Sequence, residues 1–209
     1  MAISGMTGAV YVSDVDADPV AFNYKSCSAV DAAGKRYQID DEDCRYWDRD
    51  TPVSVEVDGD PVTTGFTLEH AGGFVVFDEA PVVEEDVTVS GKALTLIQAG
   101  GFFNWSVDFD GEDADATTFK SKGWKDFVRT LKGWSGSAEA YWGDTRFFDS
   151  LGQTVVVKLF TDAGDAQDCL EGFAIINGEG IENPVDGLVQ ETVDFTGTGP
   201  LYIRLQEDE

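Results

Sequence analysis

The chain has 209 residues, enough for one domain with a sizeable core. Hydrophobic residues make up 42% and aromatics 12%, which argues against a disordered tail, and 23 glycines and 6 prolines without a period argue against collagen-like or low-complexity structure. Forty Asp and Glu against fourteen Lys and Arg give a formal net charge of −26, which speaks against a nucleic-acid clamp or an anionic-membrane binder and makes copies of the chain repel at low salt.

Taken in order, Ala9 to Val12 predicts a first strand, and residues 16 to 34 read as irregular. Lys35 to Ile39 predicts a short strand. DDEDCRYWDRD, 40 to 50, joins acids to aromatics. Large aromatics beside charges are enriched at interface anchors, so Tyr46, Trp47 and Arg49 are candidate inter-subunit contacts. The alternative is a loop packed on its own subunit. Val53, Val55 and Val57 then alternate with polar residues, and DGDP ends that strand. Phe66–Glu69, Phe74–Phe77, Val87–Val89 and a strand from Leu94 follow, with Gly100-Gly101 as a bulge or break.

Trp105, Val107 and Phe109 share one side of another alternating stretch. An acidic loop is expected from Asp108 to Asp115. Trp124, Phe127, Val128 and Leu131 fall at i, i+3, i+4 and i+7, which predicts an amphipathic helix with a structural apolar stripe. Ser121 suits its N-cap and Gly133 its C-cap. Ala138, Ala140 and Trp142 predict a returning strand, and Arg146 to Leu151 a helical turn. Thr154–Phe160 is strongly β-branched. Leu170–Asn177, Leu188–Phe195 and Leu201–Leu205 complete the set, the last two as a pair joined around TGTGP. Strands at roughly ten-residue spacing predict a mainly β fold, an antiparallel sandwich or barrel with one flanking α-helix.

No motif supports catalysis. His70 is the only histidine, so a Ser-His-Asp triad would have to use it. GWSGS, 133 to 137, resembles a nucleophile elbow but has Ser137 where the last glycine belongs, and it leads into a strand. DFDGEDADATTF, 108 to 119, looks like a calcium loop, yet Asp113 and Phe119 stand where Gly and Glu are needed. No dinucleotide or phosphate fingerprint is complete. No catalytic residue, cofactor or metal ligand is assigned. Cys27, Cys44 and Cys169 match no zinc spacing and no complete disulfide framework, and they read as reduced. The N-terminus has no signal-peptide pattern and no apolar run is long enough to span a membrane, so no membrane partner is expected.

Three segments together resemble the major tail protein, or tail tube protein, family of long non-contractile-tailed, siphovirus-like viruses. They are YWDRDTPVSVEVDG through GFTLEHAGGFVVFDEAP and VTVSG (46 to 91), DATTFKSKGWKDFVRTLKGWSGSAEAYW, and NPVDGLVQETVDFTGTGPL (183 to 201). The resemblance implies a single tail-tube domain over 1–209, with an extended N-terminal arm at about 1–15 and an inter-subunit loop at about 40–65. It implies a homo-oligomer of hexameric rings stacked into a tube, through which genomic DNA passes without specific binding. It implies other tail proteins as partners (tape measure, tail terminator, distal tail protein), synthesis in a host cytoplasm, a place in the virion tail, and no enzymatic activity. A carbohydrate-binding β-sandwich module and a related tube or tail-terminator protein are the alternatives.

Overall fold

The computed structural model describes residues 8–81, 86–143, 146–161 and 168–205. The fold is mainly antiparallel β. It gathers into two compact units, one built on residues 11–98 and one on 99–155 with 159–209. The first seven residues of the expected N-terminal arm lie outside the described range. The arm's remainder holds β1 (Ala9–Ser13), whose Tyr11 to Ser13 pair with β9 (Leu96–Gln98).

The unit over 11–98 contains a seven-stranded sheet. Its strands are β2 (Val20–Ala29), β3 (Arg36–Ile39), β4 (Ser54–Val57), β5 (Asp60–Val62), β6 (Phe66–Glu69), β7 (Phe74–Phe77) and β8 (Val87–Ala93). They lie in the order β5-β4-β8-β2-β3-β7-β6. The stretch expected to be irregular is thus largely the ten-residue strand β2. A register shift between Phe22 and Lys25, with Tyr24 at φ 49°, breaks its alternation. Phe22 and Cys27, five positions apart, therefore both reach the core, and a period of two does not find them.

Trp47 is the centre of that core, at 0% exposure. Its ring meets Phe22 at 6.4 Å and His70 at 6.1 Å, and its Nε1 donates to the Cys44 carbonyl at 2.8 Å. Its backbone N–H donates to the His70 carbonyl at 2.9 Å. Gly73 (φ +69°) admits this packing, since a Cβ there would lie 2.7 Å from Ile39 and 2.9 Å from the Arg45 backbone. Tyr46 is buried too, under the Lys158 ammonium at 5.5 Å. The assignment of Tyr46 and Trp47 as inter-subunit contacts is therefore corrected. A large aromatic beside charges satisfies a core as well as an interface, and here the short isolated bridges Tyr46–Ala71 and Trp47–Ala93 draw the segment inward. Arg49 remains exposed. Burial, followed by the Arg49 charge, lowers the pKa of His70.

The other unit is built on long strands: β10 (Phe102–Asp115), β11 (Phe127–Tyr141), β13 (Cys169–Glu182) and β14 (Gln190–Arg204). They run in the order β10-β11-β14-β13, all antiparallel. β12 (Thr154–Phe160) falls where its branched residues predict, after the short helix α1 (Arg146–Asp149). Two expectations are corrected. Asp108 to Asp115 is strand rather than loop, because each of its mapped residues faces a partner on β11. TGTGP does not reverse the chain: β14 continues through it and bulges there, with Thr198 to Pro200 set against Phe173 alone, and a second register shift leaves Asn177 as the extra residue on β13. Trp134 anchors the sheet at 4% exposure, its Nε1 donating to the Gly199 carbonyl at 3.0 Å. Its indole occupies the space above Gly197, where a Cβ would come within 2.1 Å. Glu171, fully buried, accepts from Arg204 Nε at 2.8 Å.

Two predictions follow from burial. Trp47→Ala should cost about 3–5 kcal/mol in urea unfolding, as for a large buried aromatic, whereas Trp124→Ala, at 81% exposure, should stay within about 0.5 kcal/mol. Equal effects in the two variants would contradict the burial pattern. All three cysteines are free, and burial pushes the Cys27 thiol up to about 12. Melting curves with and without reductant should coincide, and Cys27 in the folded protein should resist alkylation at pH 8. Rapid labelling of Cys27 without unfolding would refute this.

Candidate assembly surfaces

The four long strands present two opposite faces with different chemistry. The register aligns side chains in rows across β10, β11 and β14. On one face the rows are Asn104–Glu139–Thr192, Ser106–Ser137–Asp194 and Asp108–Ser135–Thr196. These nine side chains are hydroxyls, amides and carboxylates, and none is cationic. Five of them are hydrogen-bonded: Asn104 Nδ2 donates to Glu139 Oε2 at 3.0 Å, the Ser106 and Ser137 hydroxyls lie 3.1 Å apart, and Asn177 on β13 donates to Thr196 Oγ1. A shallow groove of about 290 Å³ opens between Asp108, Ser137, Asn177 and Asp194. The opposite face reads Trp105–Ala138–Val193, then Val107–Gly136–Phe195, then Phe109–Trp134. Ala138, Val193, Phe195 and Trp134 are buried. Period-two alternation produces both faces at once.

β10 ends the strand order. Its outer edge is a template for another strand. Asp108, Asp110, Glu112, Asp113 and Asp115 crowd that strand with like charge, a device that discourages indiscriminate edge pairing.

Beyond Phe109 and Trp134 the hairpin leaves the packed part of the sheet. Residues 110–133 are exposed except for half-buried Ser121. Six residues at about 3.4 Å each make this roughly a 20 Å projection. The tip is ordered by local bonds. Thr118 caps the 3-10 turn Phe119–Ser121 in a capping box, Thr117 Oγ1 accepts from Asp126 N at 2.9 Å, and the Ala116 N–H donates to the Asp126 carbonyl at 2.8 Å. Lys122 and Gly123 take positive φ values of 50° and 86° and turn the chain back.

The expected helix stripe lies here, and it is corrected. Trp124 is in the tip, while Phe127, Val128 and Leu131 belong to β11, and all four are exposed. The expected C-cap Gly133 is mid-strand, paired with Asp110, and the expected N-cap Ser121 closes the capping box of Thr118. Spacing of i, i+3, i+4, i+7 names a helix only where a second surface covers the stripe. Among the described residues none does, and pairing with β10 decides the backbone instead.

The opposite end of the same sheet carries a second exposed apolar group. Ser135 faces Thr196 and Tyr141 faces Gln190, so β11 runs from the hairpin tip toward the β13–β14 turn. Around that turn Ile181, Val185 and Leu188 are exposed. GWSGS lies within β11, away from any strand-to-helix turn. Among the described residues no group of three or more His, Cys, Asp or Glu side chains is placed to hold a metal. The calcium-like stretch is extended strand up to Asp115.

No protein-family model matches the chain, and no curated protein matches it. Among solved structures, the chain is similar to a component of the tail of an empty gene transfer agent particle with C6 symmetry. Identity is 16% and the TM-score 0.42, over 53% of this chain and 87% of that one. It is also similar to a component of the virion of a native gene transfer agent particle, at 17% identity and a TM-score of 0.42, over 52% of this chain and 88% of that one.

Proposed function

We propose that the chain is a structural subunit of a virus-like tail, which self-assembles into stacked hexameric rings forming the tail tube, the conduit for DNA ejection. The polar face of β10-β11-β14 carries the proposal. Duplex DNA bears about one negative charge per 1.7 Å of axis, and cationic walls gain affinity by releasing its counterions. A conduit has to pass DNA without holding it. Nine hydroxyl, amide and carboxylate side chains without one cation meet that need. In this reading Asp108, Glu139 and Asp194 face the lumen, and the apolar face packs into the subunit. The sequence resemblance supports the same role. It brings with it a place in the virion tail, synthesis in the host cytoplasm, and tape measure, tail terminator and distal tail proteins as partners. The subunit needs no cofactor and performs no catalysis.

Electron microscopy of the purified protein tests the assembly, and charge reversal tests the lumen. Wild-type tubes should form and should not retain a short duplex. Tubes of Asp108→Lys with Asp194→Lys should retain it at least about tenfold more at low salt, with the difference lost as salt rises. A wild-type protein that stays monomeric under all conditions would overturn the tube. Variant tubes that retain no more DNA than wild type would overturn the lumen assignment.

A further inference from the structure

The fourteen cations are not spread evenly. Five of them, with one of the forty acids, fall between Phe119 and Lys132; the facing half of the hairpin, Asp110 to Asp115, carries four acids, so the projection is neutral as a whole and its cationic excess sits in the turn, where residues 116–126 hold Lys120, Lys122 and Lys125 against Asp126, net +2. Lys120, Lys122, Lys125, Arg129 and Lys132 are all exposed. Among the described residues the four lysines make no ion pair, and Arg129 reaches Asp113 only at 3.6 Å. Beside these cations stand the exposed Phe119, Trp124 and Leu131. At the other end of the same sheet, Gly178 to Glu191 contains four acids and no cation. Of these, Glu182 and Asp186 are exposed, beside the exposed Ile181, Val185 and Leu188. One end is cationic and apolar; the other is anionic and apolar.

We infer that the hairpin tip of one copy docks head to tail on the β13–β14 turn of a second copy. The inference rests on the reading of the chain as a self-assembling subunit and names the partner surface. Charge complementarity commits the tip to this occupant: opposite charges select a partner, and like charges reject the wrong one. A tip-to-tip or turn-to-turn contact would set like charges together. A tip-to-turn contact pairs ammonium groups with carboxylates and covers apolar side chains on both sides. The contact is heterologous, so each copy keeps one free tip and one free turn, and the series can propagate along the strand direction. The tip's own hydrogen bonds hold it before contact, which lowers the ordering cost of docking. Nucleic acid or an anionic membrane would also attract a basic aromatic tip, but either would meet the −28 remainder of the chain.

The test is a charge swap, read by sedimentation and electron microscopy at moderate salt. Lys120→Glu with Lys122→Glu and Lys125→Glu should reduce the assembled fraction at least about tenfold, and Glu182→Lys with Asp186→Lys should do the same. Each variant should keep the wild-type melting temperature, because every changed residue is exposed. Combining both sets in one chain should restore assembly, as should mixing the two singly swapped proteins. Assembly of the tip variant at wild-type level overturns the inference and leaves the tube reading intact. Failure of the combined swap to recover, with its fold retained, also overturns it. Binding of duplex DNA or anionic vesicles that needs the tip lysines, with assembly unchanged, assigns the tip to another partner. Tip-dependent linear filaments without rings would support the docking and reject the tube.

Discussion

The seat of Trp134 over Gly197 fixes what the long-strand unit can do. The indole lies where any Cβ at that position would stand, and its N–H is satisfied by the Gly199 carbonyl. The contact holds β11 and β14 in one register. Slipping a strand by one residue would turn its whole side-chain set over. Ser137 and Asp194 would then face the core, and Ala138 and Val193 would face water. Burying a carboxylate without a partner is among the costliest errors a fold can make. The register is thus held from both sides: by the indole's fit on the apolar face, and by what the polar face would suffer if buried.

Much of this arrangement was legible in the chain. Thr154–Phe160, Phe66–Glu69 and Phe74–Phe77 lie where alternation and branching place them. What was not legible has identifiable causes. The bulge at Tyr24 shifts the phase of β2 midway, so no single period describes it. Tyr46 and Trp47 look alike whether they anchor a core or an interface, because both environments want a large ring with a polar handle. The segment from Trp124 to Leu131 defeated the reading in the opposite direction. Apolar spacing reports that a surface asks to be covered, and it is silent on whether the cover comes from the same chain. The polar rows were available as alternating hydroxyl and acid residues, such as Ser135, Ser137 and Glu139, but only strand pairing shows that three strands bring them to one face.

Net charge and its distribution act over different ranges. A chain at −26 repels its copies through the whole of its surface, and this repulsion fades as the screening length shrinks from about 30 Å at 0.01 M salt to about 10 Å at 0.1 M. A lysine ammonium against a carboxylate works at a few ångströms and is weakened less when apolar neighbours exclude water around it. Salt therefore removes the long-range penalty before it removes the short-range attraction. The net +2 turn of the hairpin, residues 116–126, stands roughly 20 Å from the packed sheet, which places Lys120, Lys122 and Lys125 at the far end of the repulsive field instead of inside it. Cations scattered evenly over the surface would lower the net repulsion by the same amount but would favour no orientation. Concentrated at one end of a sheet whose other end is acidic, they make one direction of approach favourable among many that are not. The same partition keeps cations off the polar face, where they would grip a polyanion, and gathers them at the tip.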